Sequence, residues 1–446
     1  MESRRIAVVG AGVAGIGAAW LLSQRHEVTL FEAANRLGGH SNTIVCPLAD
    51  GDVPVDTGFI VYNERNYPQL SALFRHLDLP TQDSEMSFAF AASDINLEYA
   101  GSSIATLFAQ RRNLFRPRFL GMVRDILRFN REANRRLESG EGHQQSLGEL
   151  LDEIGVGEAF RRYYLLPMSA AIWSCPQDVM LRFPARSFLR FFANHGLIQL
   201  ANRPQWRTVI GGSREYIQRM QNAIQHVHTA TPVTQVERTA NGVSLAGPSG
   251  PLGEFDEVVM AAHADQTLAA LKTPSAAETQ ILGAFGYQAN DAYLHTDTRL
   301  MPKRRAVWSA WNHLTTQSID GSDPVSVTYW MNRLQPLATD RDIFVTLNPL
   351  SPPDPAQVIH RQSYDHPVFD RAAMSAQTAL TDIQGQERIW YCGSYHGYGF
   401  HEDAFASAVR VAERLGAPPP WTTHSIPPSE PDPLITPAPL GADATP

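Results

Sequence analysis

Lysine is almost missing from this chain. Among 446 residues only Lys272 and Lys303 are lysines, so chemistry that needs a lysine side chain has two possible sources. Cysteine is nearly as scarce. Cys46, Cys175 and Cys392 are far apart, odd in number and form no CxxC pair, which argues against a disulfide framework and against a zinc site. No metal is expected. No stretch of about 18 uncharged apolar residues occurs, so no transmembrane helix is expected. The apolar start Ile6-Ala7-Val8-Val9 runs straight into a glycine-rich loop with no cleavage-like site, and it reads as a strand rather than a leader. A formal net charge of −8 offers no general attraction for nucleic acid. These absences together predict a reduced, cytoplasmic setting.

The composition that remains is globular, 43% hydrophobic and 18% charged, in a chain long enough for two domains. Its opening reads as strand, glycine loop, helix, strand: Ile6 to Val9, an alanine-rich helix from Ala14 to Gln24, and Glu27 to Glu32. From about Asn66 to Gly196 apolar residues recur at three- and four-residue spacings, which predicts a largely helical region. The Phe- and Leu-rich stretch Phe183 to Leu200 belongs to the core or to a channel wall. Short strand runs separated by polar turns return between about 275 and 385, including Ala306 to Trp311, and predict a second, antiparallel sheet. A closing strand, Arg388 to Gly393, precedes a helix from about Glu402 to Leu415. Prolines crowd the chain beyond Ala417, and that composition predicts disorder.

Gly10-Ala11-Gly12-Val13-Ala14-Gly15 follows the first strand and opens the first helix. Gly10 permits the tight turn, Gly12 lets backbone approach a pyrophosphate, and Gly15 allows close helix–strand packing. The helix N-terminus, through Val13 and Ala14, offers free N–H groups and the positive end of a dipole. Glu32, 22 residues after Gly10, stands where an acidic side chain meets a ribose hydroxyl pair. This constellation predicts a dinucleotide, and does not by itself separate NAD from FAD.

The next residues, Glu32-Ala33-Ala34-Asn35-Arg36-Leu37-Gly38-Gly39, resemble the E-x3-R-x-G-G signature of the flavin amine oxidase superfamily, which includes monoamine oxidases, protoporphyrinogen oxidases and phytoene desaturases. The resemblance extends to Val55-Asp56-Thr57-Gly58-Phe59, to Val233, and to Trp390 to Ser394 followed by Gly399 to Ala408. It implies an α/β flavoprotein with a Rossmann-like, two-dinucleotide-binding FAD domain and an inserted α+β substrate domain. The implied boundaries are 1–65, 205–270 and 386–416 for the FAD domain, 66–204 and 271–385 for the substrate domain, and 417–446 for the tail. By the same resemblance FAD contacts fall to Gly10, Gly12, Val13, Ala14, Gly15, Glu32, Ala33, Arg36, Gly38, Gly39 and His40. Further along they fall to Gly58, Phe59, Ile60, Val233, Gly393, Ser394, His401, Glu402 and Ala404. Arg36 and the paired glycines would line the phosphates and ribityl chain, Val233 would meet the adenine, and the closing helix would point at the flavin ring. At His401 and Glu402 backbone contact is expected rather than side-chain contact.

Ala171-Ile172-Trp173-Ser174, Asn194 to Leu197, Trp206 to Val209, Thr328 to Asn332 and Gly397 to Asp403 are similar to a bacterial subgroup of predicted NAD/FAD-binding proteins associated with fatty-acid-modifying enzymes. That likeness implies a small apolar or lipid substrate, dehydrogenated by hydride transfer to flavin N5, with oxygen or another electron acceptor. Amine oxidation, redox-neutral isomerisation and a non-catalytic flavin-binding partner of a lipid-modifying enzyme are the alternatives. The chain departs from many amine oxidases where they place a lysine near flavin N5. The matching strand here reads Tyr293-Leu294-His295-Thr296-Asp297, and His295 becomes the candidate proton shuttle. No cysteine lies in 351–387, so FAD is expected to be non-covalent and Cys392 to be a buried strand residue. Trp308, Trp311, Tyr329, Trp330, Tyr395 and Tyr398 are candidates either for core or for a pocket wall. The stretch Arg111 to Arg136 carries nine arginines interleaved with Leu and Phe. It is read either as a solvated helix face or as a peripheral membrane contact.

Overall fold

A computed structural model describes residues 2–49, 51–139, 145–173, 177–199, 203–315 and 326–421. Cys175 and the tail from 422 onward lie outside the described residues.

A five-stranded parallel sheet carries the dinucleotide loop. Its strands are β1 (Arg5–Val9), β2 (Glu27–Phe31), β3 (His226–His228), β4 (Glu257–Met260) and β5 (Ile389–Tyr391), in the order β3-β2-β1-β4-β5. Ile6, Ala7 and Val8 are wholly buried, because a parallel sheet covered on both faces selects continuous apolar runs. Helix α1 (Val13–Leu22) is buried along its whole length. Its sequence, VAGIGAAWLL, lets it sit close to two neighbours. A Cβ at Gly15 would lie 1.7 Å from the Gly10 carbonyl oxygen, and one at Gly17 would lie 2.7 Å from the Phe405 ring. Phe405 belongs to helix α2 (His401–Arg414), which follows β5. Both helices therefore begin at the carboxyl edge of the parallel strands, where ligands of open α/β sheets bind.

A seven-stranded sheet stands beyond this edge, in the order 358–368, 286–295, 344–347, 326–330, 311–315, 88–92 and 97–100. All its pairings are antiparallel except that of 311–315 with 88–92. A third, helical layer includes the long helix Pro117–Ser139 and the helices Leu147–Ile154 and Ala185–Asn194. Its core is aromatic, with Phe129, Phe160, Phe183, Phe188 and Phe192 buried together.

The structure corrects three expectations. The region 66–196 contains the hairpin Phe88–Ala92 and Leu97–Ala100. FAFAA and LEYA are almost wholly buried and lack the alternation of a half-exposed strand, so their period is silent. The run Ala306 to Trp311 is a turn and loop, and its strand starts at Trp311. The Asn312 side chain accepts from Ser309 N–H (2.9 Å) and donates to Ser309 O (2.6 Å), which closes that loop. The tail boundary also moves. Ala417 is buried, and Trp421 stacks on Trp20 at 6.1 Å and donates from Nε1 to Gln69 Oε1 (2.9 Å).

Candidate active site

One cavity of about 640 Å³ runs from the glycine loop, past the start of α2, to the seven-stranded sheet. At the loop, Gly10 has φ +97° and donates from N to Phe31 O (2.8 Å), and a Cβ there would meet Ala261 backbone at 3.0 Å. Gly12 caps α1 with φ −65° and ψ 179°. No side chain caps this helix, and its first turn holds no acidic residue. A Cβ at Gly12 would find no atom within 4 Å. Four orphan N–H groups at a helix start need a partner, and here the helix opens toward the cavity with Gly12, Val13 and Ala14 on the wall. Gly38 and Gly39 close over the loop. Gly38 N donates to Ala11 O (2.8 Å), and a Cβ at Gly39 would lie 3.1 Å from Gly12 Cα.

Glu32, just past β2, lines the cavity with Ala33. Its two carboxylate oxygens accept from Ala11 N (2.7 Å) and Ala34 N (2.8 Å), which fixes the carboxylate beside the loop. Thr231, Pro232 and Val233 form the wall at this end.

The middle of the cavity is rich in histidine. His40, His263 and His366 line it together with Asp365. The His40 ring lies 4.9 Å from the Tyr364 ring and 5.3 Å from that of His366. Burial, with His366 and His401 adding repulsion, holds His40 well below the ordinary histidine range. Burial pushes His366 down to about 4. His40 Nε2 is buried without a hydrogen-bond partner among the described residues. A buried polar atom left unpaired against a cavity, beside an uncapped helix start, fits a polar, anionic group such as a dinucleotide pyrophosphate.

At α2 the wall is formed by Gly393, Ser394, His401 and Ala404, facing Gly58, Phe59 and Ile60. His401 stacks on Phe59 at 3.9 Å and its Nε2 lies 3.0 Å from Ser41 Oγ. Burial pushes His401 down to about 3. The Asp403 carboxylate accepts from Tyr398 N (3.0 Å) and Phe400 N (2.9 Å), fixing the turn that enters α2.

Beyond α2 the cavity turns apolar. Ile60, Val61, Met86, Trp311, Tyr329 and Leu347 form one side, and Ile172, Trp173, Phe191 and Leu197 form the other. Of the aromatic candidates, Trp311, Tyr329, Tyr395 and Tyr398 line the cavity. Trp308 and Trp330 do not. They pack edge to face at 5.4 Å and share Arg305 above their rings.

Several residues named from the sequence stand elsewhere. Gly15 serves packing. Arg36 donates to Gly39 O (2.8 Å), so it braces the glycine turn and does not line the cavity. Glu402 is buried off the cavity, accepting from Gln69 N (2.8 Å) and Leu70 N (3.0 Å) at the start of helix Pro68–His76. His295 is the clearest correction. It is wholly buried, its Nε2 lies 2.7 Å from Thr346 Oγ1, and its Nδ1 accepts from Asp297 N (3.0 Å). Both ring nitrogens are engaged and the ring is not on the cavity wall, so His295 is a structural histidine. Burial holds it at about 4. Both lysines are exposed and neither lines the cavity. Cys392 is buried, which pushes its thiol up to about 12. Sequence reasoning misses Tyr364, Asp365 and His366. They lie on Val358–Val368, a strand with polar residues at most positions, whose pattern does not show which side chains meet the cavity.

The chain matches the family of flavin-containing amine oxidoreductases over residues 13–416 and belongs to it. It is thus an FAD-dependent oxidoreductase. Solved structures of the same fold include cyclohexylamine oxidase from Brevibacterium oxydans, at 16% identity and TM-score 0.67, covering 93% of this chain and 100% of that one. A fatty acid isomerase from P. acnes aligns at 15% identity and TM-score 0.65, over 92% of this chain and 98% of its own. Putrescine oxidase aligns at 16% identity and TM-score 0.65, over 93% and 99% respectively. No protein of curated function matches the chain.

Proposed function

We propose that the cavity holds FAD along its glycine-loop and α2 end, and an apolar, fatty-acyl substrate in the chamber beyond. The observation that carries this reading is continuity: one cavity joins the uncapped start of α1 to a chamber walled by Ile60, Met86, Trp311 and Tyr329. Gly10, Gly12, Val13 and Ala14 would cradle the pyrophosphate with backbone N–H groups. Glu32 would take the ribose hydroxyls, and Thr231 to Val233 the adenine. His40 would donate to the bound group from the nitrogen that otherwise lacks a partner. Bound there, FAD would supply the hydride-accepting chemistry, the substrate's second hydrogen leaving as a proton and the electron pair going on to oxygen or another acceptor. The protein's part is to position the substrate carbon and to exclude water with Trp173, Phe191, Trp311 and Leu347.

The wall chemistry favours an apolar substrate over an amine. Among the described residues of the wall the two carboxylates are Glu32, beside the glycine loop, and Asp365, beside His263 and His366. The described side chains of the chamber are uncharged, so no anion among them would hold an alkylammonium. FAD is read as dissociable.

The test is turnover of the flavin-loaded enzyme with acyl lipids and with primary amines, following oxygen uptake and product mass. Dehydrogenation predicts an acyl product lighter by two hydrogens, with oxygen consumed. Unchanged mass with a moved double bond would replace this reading with isomerisation. Peroxide formed with amines alone would replace it with amine oxidation.

A further inference from the structure

Five of the seven large hydrophobic side chains exposed among the described residues fall within one short segment. They are Ile104 (80% exposed), Leu114, Phe115 (85%), Leu120 and Leu127. Such side chains scattered singly need no explanation, but a cluster does. The segment folds as a short helix Ile104–Leu107, a single turn Arg111–Phe115, and the long helix Pro117–Ser139. Phe108 packs edge to face on Phe119 at 5.8 Å, which seats the short helix against the start of the long one.

The long helix has two distinct faces. Phe119, Met122, Phe129 and Ala133 are buried toward the aromatic core. Leu120, Arg124, Leu127, Arg131 and Arg135 are all exposed, and their spacing of four, three, four and four places them on one stripe. Between Leu120 and Arg135 acidic side chains are withdrawn from that stripe, and the exposed Glu138 follows only at the end of the helix. Asp125 is buried and accepts from Gly157 N (2.9 Å), while Glu132 is bound by Arg135 and Arg136. Arg111, Arg118 and Arg131 are exposed, and their side chains have no hydrogen bond or ion pair to any described residue. A chain of net charge −8 thus concentrates cations and exposed apolar side chains on one element.

We infer that this surface docks on an anionic lipid bilayer. Ile104, Leu114 and Phe115 would enter the acyl boundary, and the Leu120–Arg135 stripe would lie along the headgroups. Arginines at headgroup level with apolar side chains beneath are the two components of interfacial binding. Charge complementarity selects the anionic surface. The inference does not depend on the substrate reading, since vesicle binding requires no turnover.

The experiment is co-sedimentation of the flavin-loaded enzyme with phosphatidylcholine vesicles, with and without phosphatidylglycerol, at low and high salt. Binding is expected only with phosphatidylglycerol and should weaken in high salt. The double variant I104E/F115E should lower partitioning by about tenfold or more, with flavin absorbance and thermal midpoint unchanged. R118Q/R131Q should flatten the salt dependence. Three results would overturn the inference: no binding to either vesicle, equal binding to both, or binding that I104E/F115E leaves intact. A concentration-dependent dimer that I104E/F115E dissociates would assign the patch to a second copy of the chain instead.

Discussion

Two glycines of the same loop have different tasks, and their variants separate folding from cofactor binding. Gly12 sits at ordinary φ with open space where a Cβ would point. Gly12→Val should therefore fold with an unchanged thermal midpoint yet bind FAD about tenfold or more weakly, since the side chain would occupy the cavity. Titrating apoprotein with FAD measures this, and wild-type affinity would contradict the assignment. Gly15 has no such room. A Cβ 1.7 Å from the Gly10 oxygen should cost about 1–3 kcal/mol or more as overpacking, read as a lower denaturant midpoint for Gly15→Ala. The glycine loop and Glu32 were legible in the sequence because their spacing is fixed by a local turn. His263 and His366 were not. Lone histidines carry no periodicity, and their meeting with His40 depends on sheets distant in sequence. His295 was misread for the related reason that position in a strand does not reveal which neighbours fill a ring's hydrogen bonds. His295→Asn should lower stability and leave the pH profile of flavin reduction in place. A profile that shifts would restore a proton-transfer role.

Among the elements, α2 joins the cavity to the rest of the fold. Its residue Glu402 receives the first N–H groups of helix Pro68–His76 in a buried setting. Glu402→Ala should leave those donors unpaired and destabilise the protein by about 1–3 kcal/mol, with a smaller effect on FAD affinity. Chemical denaturation and FAD titration of the same sample separate the two. Helices with amphipathic spacing, such as Pro117–Ser139, could be read from the sequence. The buried hairpin Phe88–Ala92 and Leu97–Ala100 could not, because strands covered on both sides lose the alternation by which they are recognised. The apolar chamber was legible only as a set of aromatics. Trp311 and Trp308 look alike in sequence, and only the loop closed by Ser309 and Asn312 sends one to the cavity and the other to Arg305.

Across the whole molecule, buried histidines make stability depend on pH. Burial pushes His195, His295, His313 and His366 down to about 4, and His396 and His401 to about 3, from an ordinary 6.5. A histidine whose pKa is lower in the folded state stabilises the fold above its unfolded value, and that contribution is lost as pH falls through the window. Asp56 and Asp403, pushed up to about 6, and Glu402, pushed up to about 8, act in the opposite sense, but these three carboxyls are outnumbered by the six histidines. The thermal midpoint should therefore fall as pH drops from about 6.5 to about 4, and a flat midpoint would contradict the burial of these rings. Continuity of one cavity from the α1 start to the Trp311 chamber is the property on which the functional reading rests, and flavin absorbance reports on it most directly. The purified protein should show the visible spectrum of oxidised flavin, released intact on denaturation. Mixing with a fatty-acyl lipid in the absence of oxygen should bleach that spectrum, and amines should not. A protein that binds FAD but is bleached by amines and not by any acyl lipid would contradict the account.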